Sequence, residues 1–142
     1  MKKAEIVLLI LAPFLGVLAF LTPILVARFG KIPSVNLIVI IGLINENIIF
    51  LPTAMLLFII GIFLGYYGDR IWWLTSMLTI IILPINAILE MRVMPKSHNL
   101  WPFEFVIYQI MALPAVIGSY YGKIRRERRK REQTREKAGY PT

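Results

Sequence analysis

Four long apolar stretches alternate with short polar ones along the chain. They run from Ile6 to Ala27, Ile48 to Tyr67, Ile71 to Leu89 and Phe103 to Tyr121, and only Glu104 places a charge inside one of them. About 20 helical residues at 1.5 Å each cross a hydrocarbon core about 30 Å thick. Each stretch has roughly that length. In lipid the backbone must satisfy its own hydrogen bonds, so each stretch is expected to be a helix. The pattern predicts an all-α integral membrane protein with four transmembrane helices at about 6–27, 48–67, 71–89 and 103–121.

A fifth apolar run, "NLIVIIGLI" at 36–44, is too short to span. The segment 33–45 is therefore expected to be re-entrant or to lie in the outer interface. The first run follows "MKK", but its length exceeds the ~7–15 residues of a signal-peptide core and no A-x-A-like site follows. It is expected to be a retained helix.

Composition strengthens this picture. The chain has 142 residues, 58% of them hydrophobic, with a mean hydropathy of +0.70. A soluble domain averages about 45–50% apolar. The absence of cysteine and the single histidine rule out disulfides, thiolate metal centres and a bis-histidine haem within one chain. No cofactor is expected.

Charge sets the orientation. The net charge is +8, and residues 123–137, "KIRRERRKREQTREK", hold nine of the sixteen basic residues. With both termini inside, twelve basic residues face the cytoplasm (Lys2, Lys3, Arg70 and the nine of the tail) and four face out (Arg28, Lys31, Arg92, Lys96). The positive-inside rule then gives an N-in, C-in multi-pass protein of the plasma membrane, with 123–142 as a basic cytoplasmic tail. Lys123, Arg125, Arg126, Arg128, Arg129, Lys130 and Arg131 are the expected contacts to anionic headgroups, each worth about 1 kcal/mol near the surface. The tail lacks interleaved aromatics, so nucleic acid is not an expected partner.

Within the membrane, two features stand out. Pro13, Pro23, Pro52, Pro84 and Pro114 fall in the apolar runs, each removing a backbone donor and favouring a kink. Gly61, Gly65 and Gly68 in "GIFLGYYG", and Gly118 and Gly122 in "GSYYG", put small residues a turn apart, as close helix packing requires. Such faces serve either packing within the chain or a homo-oligomer.

An internal echo runs through the chain. "YYG" occurs twice, Ser34-Val35-Asn36-Leu37 resembles Ser97-His98-Asn99-Leu100, and "ENIIF" resembles "EFVIY". The order of the matches points to two tandem helical hairpins, 1–70 and 71–137, about a pseudo-twofold axis along the membrane normal.

Candidate chemistry is sparse. Glu46, Glu90, His98 and Glu104 would all lie near the outer face. Three carboxylates and an imidazole suit a divalent cation, and His98 suits proton transfer. Helix capping explains Glu46 and Glu104 equally well, and Arg92 and Lys96 would compete for the carboxylates. Thr75, Ser76, Thr79, Asn86 and Gln109 are the main polar groups deep in the membrane, with no ionisable group at mid-depth.

Three function classes remain. The first is a non-enzymatic structural or assembly component that self-associates or joins a larger membrane complex. The second is an oligomeric transporter or channel for small solutes or lipid, with a path lined by Thr79, Asn86 and Gln109. The third is an outer-face metal site or enzyme built on Glu46, Glu90, His98 and Glu104. The balance leans away from an enzyme.

Overall fold

The structure is a computed structural model and describes residues 3–27, 51–68, 70–93 and 101–137. Among these the only regular secondary structure is helix, with no strand. The helices are α1 (Lys3–Ala27), α2 (Leu51–Tyr67), α3 (Trp72–Leu78), α4 (Ile82–Val93) and α5 (Trp101–Lys137). The expected outer segment 33–45 lies outside the described residues.

Three segments are long and apolar enough to cross a membrane: Glu5–Pro23, Trp72–Arg92 and Phe105–Lys137. The second of these is α3 and α4 taken together. Helix α2 is as apolar but has 17 residues. That is about 26 Å at 1.5 Å per residue.

The third expected helix, 71–89, is two helices. The ladder shifts between them to i→i−3 bonding: Thr79 N–H donates to Ser76 O at 3.2 Å, Ile80 to Met77 at 3.3 Å and Ile81 to Leu78 at 3.2 Å. The cause is Pro84. Proline has no N–H for the carbonyl of Ile80, and its ring presses on that carbonyl. Leu83 N–H takes over, donating to Ile80 O at 2.9 Å. The turn upstream tightens accordingly. Helix α1 runs on through Pro13 and Pro23, and α5 through Pro114.

Helix α5 has no boundary at the end of the apolar run, in keeping with the helix-favouring i, i+4 pairing of Glu127 with Arg131 in the basic run. One helix of 37 residues carries the chain from the membrane-length segment into the basic tail.

The most extensive contact is between α2 and α5, which run parallel. A side chain at Gly61 would strike the carbonyl of Ala115, and one at Gly65 that of Ser119. Reciprocally, side chains at Gly118 and Gly122 would strike the carbonyls of Phe58 and Ile62. Each glycine thus brings its Cα against a carbonyl of the other helix. In a membrane, where lipid offers no hydrophobic drive for association, close van der Waals packing of this kind is what holds helix pairs together. Weak Cα–H···O contacts recur in this geometry.

The seam is locally symmetric. Positions 61 and 118, 65 and 122, 58 and 115, and 62 and 119 all differ by 57, so the two halves of the contact map onto each other. The YYG pairing read from the sequence sets Gly68 against Gly122, a difference of 54, and is not the register used. Gly68 instead ends α2: its N–H donates to Leu64 O at 2.7 Å.

The symmetry stops at the seam. A twofold along the normal that exchanged α2 with α5 and α1 with α3–α4 would match every α2–α3 contact with an α1–α5 contact. Helix α2 touches α3, whereas among the described residues α1 touches α2, α3 and α4 but not α5. Among the described residues the contacts therefore do not follow the expected pseudo-twofold arrangement of whole hairpins.

Helix α1 closes on the break in the third segment. A side chain at Gly16 would collide with the backbone of Thr79, its Cα included at 2.8 Å. The core between these elements is built of small and medium residues, among them Ala19, Phe20, Leu57, Leu83, Ala112 and Ala115. Outward, Phe14, Leu18, Met55, Ile59, Ile88, Val106 and Ile110 are exposed. An apolar belt on the outside of a small-residue core is the arrangement expected for lipid contact.

Candidate membrane-surface site

Four of the buried hydroxyls are bonded within their own helices. Thr75 Oγ1 donates to Trp72 O at 3.0 Å, Ser76 Oγ to Trp72 O at 2.8 Å and Thr79 Oγ1 to Ser76 O at 2.7 Å. Ser119 Oγ donates to Val116 O at 3.0 Å. Each bonds back to its own helix, a common use of Ser and Thr in helices. Their small size is what the packing exploits. Asn86 is buried, while Gln109 is exposed on α5, so the three residues expected to line a path do not share a face.

Of the outer polar cluster, Glu46 and His98 lie outside the described residues. The side chain of Glu104, in the first turn of α5, is likewise not described. Glu90 is half-buried in α4 and has a partner. Among the described residues no three His, Cys, Asp or Glu side chains come together as a metal site would need.

Four of the five glycines singled out for packing meet within the chain, and Gly68 lies outside that seam. Gly61, Gly65, Gly118 and Gly122 are all buried in the α2–α5 seam, so these faces are covered before any second copy is met.

The chemistry gathers where α2 ends, α3 begins and α5 passes from its apolar to its basic run. Trp72 lies against Tyr120 with ring centroids 6.1 Å apart, and Lys123 Nζ sits 5.3 Å over the Trp72 ring. Lys123 also pairs with Glu127 at 3.9 Å. These contacts hold Lys123 on the α3 side of α5. On the α2 side, Arg129 Nη1 donates to the Tyr66 hydroxyl at 2.8 Å. That hydrogen bond raises the Arg129 pKa above its ordinary value.

Helix α5 turns the residues 125, 128, 129 and 132 onto one face, as spacings of three and four dictate. With α2 this face forms a groove of about 690 Å³. Its floor is Ile59, Ile62 and Phe63, and its polar end is Tyr66, Arg125, Arg128, Arg129 and Glu132. A smaller recess of about 210 Å³ between Phe58 and Tyr121 shares Ile62 and Arg125 with it. Arg126, Lys130 and Arg131, expected at the membrane surface with the others, do not line the groove.

Sequence reasoning passed over two residues. Glu5, 5% exposed in the first turn of α1, accepts a long hydrogen bond of 3.5 Å from Arg70 N–H, between α2 and α3. Its signal was a lone acid between a basic start and an apolar run. Tyr66 positions an arginine 63 residues away; its signal was an aromatic at the inner end of a span. No protein-family model, curated protein or solved structure matches the chain.

Proposed function

We propose that this chain is a four-span plasma-membrane protein with both termini in the cytoplasm. In this reading it is a non-enzymatic assembly component, joining copies of itself or a larger membrane complex. The four-span count takes α2, with the residues just before it, as a crossing. The charge asymmetry and the exposed apolar belt support the placement.

One observation carries the assembly role. Helix α5 leaves the bundle as a rigid continuation, and from Glu127 to Lys137 every residue is exposed. A helix that is polar all round and exposed over this length is suited to bridging to a partner. Its fifteen residues from Lys123 extend about 22 Å at 1.5 Å per residue. The bundle holds that arm at the membrane surface, where a partner would meet it. Because the glycine faces are spent inside the chain, self-association would use other faces.

The transport reading draws on the broken third span, since discontinuous helices often flank transport sites. The hydroxyls there bond to their own helices, which leaves that reading second.

The test is purification of the full chain in a mild detergent, with mass measurement and identification of co-purifying proteins. A species larger than the 16.3 kDa chain, lost on deletion of 125–142, is the expected result. A monodisperse monomer with nothing bound would refute the assembly role.

A further inference from the structure

We propose that the groove between α2 and the basic end of α5 is a binding site for one anionic phospholipid of the inner leaflet. The inference rests on the membrane placement and cytoplasmic tail proposed above.

The groove is amphipathic along its length in the way a lipid is. Ile59, Ile62 and Phe63 form its apolar floor, and Arg125, Arg128 and Arg129 gather at the other end with Tyr66. Tyrosine and tryptophan mark the headgroup level of a bilayer. Tyr66 lies at the C-terminal end of α2 and Trp72 opens α3, while Tyr120 and Tyr121 lie midway along α5, where its apolar run gives way to the basic one. The floor therefore sits at acyl depth and the arginines at phosphate depth. The smaller recess beside Phe58 and Tyr121 shares Ile62 and Arg125 with the groove, so two apolar channels flank one arginine. A phosphate bearing two acyl chains matches that layout; a soluble phosphate would leave both channels exposed.

The charges are available. Among the described residues, no carboxylate lies within ion-pair distance of Arg125 or Arg128. Arg129 is pre-set by Tyr66 rather than by an acid. Glu132 leaves the groove with three positive charges against one negative. Arginine forks bind phosphate oxygens in pairs, which favours these residues over the scattered lysines of the tail. A volume of about 690 Å³ falls in the range of small-molecule sites, about 300–1,000 Å³.

The test uses the full chain in neutral detergent, titrated with phosphatidylglycerol or phosphatidylcholine and read by native mass spectrometry. One phosphatidylglycerol per chain should bind at least about tenfold more tightly than phosphatidylcholine, a ratio equal to about 1.4 kcal/mol. Arg125→Gln with Arg128→Gln should weaken it about tenfold or more. Arg135→Gln with Lys137→Gln removes the same charge away from the groove and should change it less than about twofold. Equal losses in both pairs would show diffuse attraction to the tail and overturn the site. Glycerol phosphate binding as tightly as the lipid would assign the arginines to a soluble ligand. An acidic peptide binding more tightly would assign them to a protein. Resistance of the chain to alkaline extraction from membranes reads the placement separately, so failure of the site and failure of the membrane reading are distinct results.

Discussion

Replacing Gly65 with alanine tests the seam that holds the two parallel helices together. The new methyl would lie 2.5 Å from both the Cα and the carbonyl carbon of Ser119, and nearer still to its oxygen. Ordinary contact begins at 3.4 Å. The obstacle is helical backbone, which cannot rotate away, so α2 and α5 must part by about 1 Å. A gap of about 0.5–1 Å forfeits a quarter to a half of the dispersion energy of the atoms it separates. In lipid that packing is the main force between the helices, and water cannot repay its loss. Overpacking of this kind costs about 1–3 kcal/mol. Alanine returns up to about 1 kcal/mol through its better helix propensity. A net loss of about 1–2 kcal/mol is expected.

The assay is unfolding by increasing mole fraction of sodium dodecyl sulfate in mixed micelles. Trp72 sits beside α5 through Tyr120, so tryptophan fluorescence reports the separation. Met55→Ala, on a side chain 59% exposed, is the control and should leave the midpoint close to the parent's. Gly65→Ala combined with Gly118→Ala should cost less than the sum of the two, because one displacement relieves both collisions. An unfolding midpoint for Gly65→Ala equal to the parent's would refute the seam as described.

Gly16→Ala should destabilise the bundle by a similar 1–3 kcal/mol, read in the same assay, because its methyl meets the backbone at Thr79. Thr53→Val should be neutral or stabilising by about 1 kcal/mol, since Thr53 Oγ1 is fully buried with no partner among the described residues; a clear loss would mean the hydroxyl is used. The cysteine-free chain allows a topology test with single cysteines. An impermeant maleimide applied to intact cells should label Ser97→Cys and not Lys137→Cys, and the reverse pattern would overturn the N-in, C-in orientation.

The chain's own pattern determined the helices, and with them the all-helical class. Long apolar runs leave the backbone no other way to satisfy itself in lipid, so helices over 6–27 and 51–67 could be read directly. Proline at position 84 warned of a disturbance but did not reveal that it would divide the span. Local chemistry explains the lost donor, whereas the packing of the displaced turn against Gly16 is a property of the bundle. The same limit applies to the glycines. Their spacing predicted close approach, but spacing names no partner. Ala115 and Ser119 received Gly61 and Gly65 only because α2 and α5 lie side by side and parallel, with a register the YYG echo did not supply. The basic run announced a surface tail. Which of its arginines would gather over Ile59, Ile62 and Phe63, and which would point elsewhere, depended on how α5 is rotated against α2. That rotation is fixed by four glycines in the seam, because only where side chains are missing can the two backbones meet.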